Sequence, residues 1–90
     1  MIVEVELLAF NKKGDVPKMR PVEVPDSISM KHLPDRVFLN GQNDIQPVKG
    51  CYSVSTGDII HIKEDMFYLI DHVGFTLLNK EQYEKYKNDK

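Results

Sequence analysis

Residues 55–71 read "STGDIIHIKEDMFYLID". Gly57-Asp58 is a turn signal that launches Ile59, Ile60 and Ile62. Glu64-Asp65 breaks the apolar run, and Met66 to Ile70 return it, so 59–70 is expected to be an antiparallel hairpin. The two turn residues lack the glycine that such turns favour, which leaves the register open. The hairpin makes the chain mainly β, and the segments on either side are read against it.

Downstream, "GFTLL" (74–78) adds a short strand after Gly74. Asn79 is positioned to cap a C-terminal helix, with Gln82 at the capping-box position and Tyr83 and Tyr86 on one face. Upstream, residues 2–10 alternate with period two: Val3, Val5, Leu7 and Ala9 on one face, Glu4, Glu6 and Leu8 on the other. "NKKGD" (11–15) is a turn. "RPVEVP" (20–25) is a short strand with Val22 and Val24 inward and Glu23 outward, and its prolines suit an edge. "DSISMKHLP" (26–34) is expected to be a short helix capped by Asp26 or Ser27 and ended by Pro34. "RVFLN" (36–40) is expected to be a strand closed by Asn40-Gly41, followed by a loop to about residue 53. The sum is an α+β, mainly β domain over residues 1–90, with about 87–90 as a frayed tail. Its five to six short strands form a strongly bent antiparallel sheet or a small, partly open barrel, with two short helices, one of them C-terminal. Val3, Val5, Leu7, Ile60, Ile62, Leu69 and Leu77 are the expected core.

Ninety residues, 41% hydrophobic and 29% charged, describe one small soluble domain with little room for a deep cavity. Twelve Lys and Arg against fourteen Asp and Glu give a net charge of −2, and residues 21–79 carry four basic and eight acidic groups. Phosphate-backbone binding rests on clustered cations, so nucleic acid is a disfavoured partner. One cysteine, Cys51, excludes an intrachain disulfide and a Cys-rich zinc site. The start "MIVEVELLAF" lacks a basic n-region and is too short to span a bilayer, so a cytoplasmic setting with no membrane contact is expected.

Catalytic chemistry finds little support. His32, His61 and His72 form no ligand motif, although His61, His72 and Asp71 lie on neighbouring strands. Cys51 has no base beside it in sequence. Asp58 and Asp65 suit turns. Tyr52, Tyr68, Tyr83, Tyr86, Phe38, Phe67 and Phe75 are read as core and core edge, because a base-stacking platform needs a basic groove. No catalytic residue, metal or cofactor is expected.

The remaining feature is "FLNGQNDIQP" (38–47). Asn40, Gln42, Asn43, Asp44 and Gln46 gather there with no cation among them. Asx turns explain Asn40 and Asn43, but glutamine is too long for such local bonds. The cluster either braces its loop or recognises a partner through neutral hydrogen bonds. Bracing is expected of Asn43 and Asp44, and exposure of Gln42 and Gln46.

The order of motifs resembles a small module of phages and conjugative elements, related to the YodL-like region of antirestriction-associated proteins. An aromatic-x-x-Gly-Gln-Asn-Asp stretch falls on Phe38 to Asp44, and Ser-Val-Ser-x-Gly-Asp-hydrophobic on Ser53 to Ile60. A strand ending in aspartate and Gly-Phe falls on Tyr68 to Phe75, and residues 9–26 match the module's first hairpin. His72 departs from the small or polar residue expected there. The resemblance implies a mobile-element origin, the host cytoplasm, and no established catalysis. The expected function is that of a non-enzymatic accessory protein that binds a host or element protein, in the most concrete version to counter a host defence. The alternative is a small β-barrel nucleic-acid-binding module.

Overall fold

The computed structural model describes residues 1–12 and 14–89. Lys13, within the expected 11–15 turn, and Lys90, in the expected tail, lie outside the described residues. Five strands form a single antiparallel sheet that is not closed into a barrel. They are β1 (Ile2–Leu7), β2 (Lys18–Glu23), β3 (Ile59–Lys63), β4 (Met66–Asp71) and β5 (Gly74–Leu78), in the order β2-β1-β3-β4-β5. Helix α1 (Leu33–Asn40) and helix α2 (Lys80–Asn88) complete the fold.

The hairpin that decides the fold is β3–β4, and its register slips between His61 and Lys63 beside the glycine-free turn. Alternation along the strands gives the sheet two apolar faces. Val3, Val5, Val22, Ile60 and Ile70 join Leu33 and Val37 of α1 on one face. Leu8, Ile59, Phe67 and Leu78 join Tyr83 of α2 on the other. Asn79 caps α2 through the expected reciprocal capping box with Gln82.

Asp58 is buried and ties the hairpin to β1. Its Oδ1 accepts the N–H groups of Leu8 (2.9 Å) and Ala9 (2.8 Å), and its Oδ2 accepts that of Ser55 (2.8 Å). Gly57, at φ +101°, makes the turn that aims this carboxylate.

The first helix differs from expectation. Residues 26–32 are turns joined by irregular backbone at 28–29, and α1 begins where the earlier helix was expected to end. Pro34 lies in the first turn, where no N–H is required and its fixed φ suits a helix. Leu33 and Val37, four apart, supply the buried stripe, so "RVFLN" continues the helix and forms no strand. Gly41 then allows close approach: a Cβ there would stand 2.3 Å from Val54 Cγ2.

Val3, Val5, Leu7 and Ile60 are buried as expected, whereas Ile62 and Leu69 are half-buried and Leu77 is 53% exposed. The cause is topological. Helix α1 packs nearest β2, so its face of the sheet, which carries Ile62 and Leu77, is left partly uncovered, whereas Leu69 lies on the opposite face at the margin of the cluster under α2.

Candidate functional site

Residues 41–54 are organised by a side chain outside them. Arg20 on β2 shares the parity of Val22 and Val24, points into the α1 face, and is 0% exposed. Its Nη1 donates to Asn43 Oδ1 and to the Tyr52 carbonyl, and its Nη2 donates to the Gln46 carbonyl. No carboxylate joins this set among the described residues. Burial pulls the Arg20 pKa below the usual arginine value, yet a guanidinium keeps its proton in proteins. The charge is balanced by neutral oxygen dipoles drawn from three points of one loop, and charge-assisted hydrogen bonds of this kind are the strong ones.

The amides finish the loop. The Gln46 side chain accepts the Glu23 N–H through Oε1 (3.0 Å) and donates Nε2 to the Glu23 carbonyl (2.9 Å). Val24 pairs back to Met1, so Glu23 faces out from β2, and Gln46 takes the place of a neighbouring strand. Asn40 donates to the same Glu23 carbonyl at 3.1 Å. Gln42 Nε2 bridges the Phe38 carbonyl (2.8 Å) at the end of α1 and the Val54 carbonyl (2.9 Å). Asn43 Nδ2 donates to the Cys51 carbonyl, and its backbone N–H to Ser53 Oγ.

The expectations therefore divide. Asn43 braces the loop as expected, although it is exposed. Gln42 and Gln46, expected to be exposed, are half-buried and hydrogen-bonded. Their length, which rules out local Asx turns, lets them reach other elements. Asp44, expected to brace, is exposed and has no side-chain hydrogen bond among the described residues. Arg20 was not foreseen, yet its parity with Val22 and Val24 was the available signal.

The braced loop presents an apolar surface. Tyr52, whose carbonyl Arg20 holds, is 65% exposed and meets Phe10, 67% exposed, with ring centroids 5.5 Å apart. Tyr52 was expected at the core edge. Beside it is a recess of about 260 Å³ lined by Leu7, Asn11, Asp15, Val16, Lys18 and Tyr52. Lys18 is tied to the loop through the Gly50 carbonyl.

A second polar cluster lies under α2. Glu6, expected on the polar face of its strand, is only 3% exposed because α2 covers it. Tyr83 Oη and His61 Nε2 (2.8 Å) donate to its Oε1, and Lys87 Nζ lies 3.2 Å from its Oε2. Burial alone would raise the Glu6 pKa. The bonds from His61, Tyr83 and Lys87 and the Lys87 charge outweigh it and hold Glu6 at about 2. Burial, together with the bond to Glu6, pushes Tyr83 up to about 12. Phe67 stacks on Tyr83 at 4.1 Å and closes the cluster. With its acid ionised and its phenol protonated, this set acts as a clamp for α2, and Lys87, in the segment expected to fray, belongs to it.

Among the described residues no three His, Cys, Asp or Glu side chains come together as metal ligands would. Cys51 is a half-buried free thiol. No helix among the described residues is long and apolar enough to cross a membrane. Comparison with protein-family models, curated proteins and solved structures finds no match to this chain.

Proposed function

We propose that this chain is a non-enzymatic binding module that engages a protein partner through the Phe10–Tyr52 surface. The single observation that carries the reading is this pair of exposed aromatic rings, in contact and fixed to the domain through a loop locked on buried Arg20. Aromatic side chains dominate interface energetics, and a loop ordered in advance loses little entropy on binding. Asn40, Gln42, Asn43 and Gln46 serve by shaping the loop, and Asp44 supplies a free carboxylate at its tip. In this reading, which here follows the motif resemblance alone, the module is a phage or mobile-element accessory protein whose partner is a host or element protein and whose task is interference with a host defence.

The test is capture from host lysate, with and without nuclease, by the parent chain and by a Phe10→Ser/Tyr52→Ser variant of unchanged melting temperature. Capture should be lost in the variant and should change little between ~50 and ~200 mM salt. Equal capture by the variant would refute the surface. A steep fall with salt would indicate nucleic acid instead.

A further inference from the structure

The two edges of the sheet are treated differently. Strand β2 is protected by Pro21, Lys18 and Glu23, and the outward groups of Glu23 are taken by Gln46. Strand β5 has none of these devices: residues 73–79 contain no charge and no proline, and its register with β4 runs without a bulge. Proteins ordinarily blunt such edges, because unpaired N–H and C=O groups invite another strand.

The direction of those groups follows from β4. Ile70 donates to the Asp58 carbonyl and accepts the Gly57 N–H, both on the side away from β5. Residues of an antiparallel strand turn N–H and C=O the same way. Phe75, paired with Ile70, therefore turns its own groups to the outer edge, and Leu77, two residues on, does the same.

We infer that β5 pairs with β5 of a second copy of this chain, antiparallel about a two-fold axis at Thr76. In that register Phe75 of each copy faces Leu77 of the other, so each of the four outward N–H groups meets an outward carbonyl. The Phe75 and Leu77 side chains share the α1 face and meet there, and the exposed Leu77 is covered. On the opposite face Thr76 meets Thr76, a favourable cross-strand pair. Residues 73–79 carry no formal charge, so the pairing brings no charged side chain of either strand against the other. The resulting sheet is continuous across both copies and leaves the two Arg20 loops at its far edges. The pairing does not depend on the function proposed above.

Sedimentation velocity over a concentration series tests it. The parent should show a reversible monomer–dimer equilibrium. Leu77→Lys changes an exposed side chain, so its melting temperature in dilute solution should match the parent's, while association weakens about tenfold or more through two symmetry-related contacts. In a Cys51→Ser background, Thr76→Cys should oxidise to a disulfide-linked dimer well ahead of Val73→Cys, because only Thr76 faces its own copy. A chain that stays monomeric at every concentration, or a dimer indifferent to Leu77→Lys, or equal cross-linking of the two cysteine variants, would overturn the pairing.

Discussion

Glutamine at position 46 substitutes for a strand because one planar amide carries both a donor and an acceptor, and Glu23 offers the complement of each. Removing it leaves the Glu23 N–H unpaired at the sheet edge and its carbonyl with Asn40 alone, and removing Asn43 takes an acceptor from a buried cation. Gln46→Ala is therefore expected to cost about 0.5–1.5 kcal/mol, since the exposed Glu23 groups regain water, and Asn43→Ala about 1.5–3 kcal/mol. Asp44→Ala should stay within about 0.5 kcal/mol of the parent. Thermal or urea melts of the three variants check this order, and an Asp44 variant as unstable as the Asn43 variant would contradict it. The cluster of amides stood out in the sequence, but its partners did not. Gln46 reaches Glu23 across 23 residues and Arg20 reaches Tyr52 across 32, and local spacing does not encode such pairings.

At the scale of elements, the strands whose signal was periodic were legible, and so was α2, whose capping box is local. Helix α1 was misplaced by one turn signal. Pro34 ends a helix when it follows the last turn and begins one when it sits in the first, and Leu33 with Val37 decides between the two only once both are seen to be buried. Gly41 offers a test of the boundary. Gly41→Ala keeps an allowed backbone but drives a Cβ into Val54, so overpacking should cost about 1–3 kcal/mol by denaturant melt. A neutral result would show that α1 and Val54 do not approach. For α2, the depressed pKa of Glu6 sets the direction of the acid response. Its contribution is complete above the ordinary carboxylate value of 4.5 and is lost as pH falls toward about 2. At neutral pH it amounts to roughly 3 kcal/mol. Near-UV dichroism of the tyrosines should therefore report release of α2 between pH ~4.5 and ~2, and Glu6→Gln should remove most of that transition.

For the molecule as a whole, an open sheet with a helix on each face explains both its stability and its unfinished parts. Composition foretold one small domain, and strand periodicity with turn and cap signals foretold a mainly β fold with two helices; whether the sheet closes was left open. The sheet stays open, with Gln46 on its β2 edge and, among the described residues, no side-chain hydrogen bond to Phe75 or Leu77 on its β5 edge. Helix α1, packed nearest β2, leaves Leu77 exposed, where period-two alternation alone had buried it. The centre of the architecture is Arg20, which joins the edge of the sheet to the loop that carries Tyr52. Hydrogen exchange, followed by mass spectrometry on the parent chain and on Arg20→Met, tests that role most directly. Loss of protection confined to residues 41–54 and to the Glu23 amide, with β3, β4 and α2 unchanged, is the expected result. Unchanged protection of 41–54 in the variant would contradict it, because the loop would then hold its shape without the buried cation.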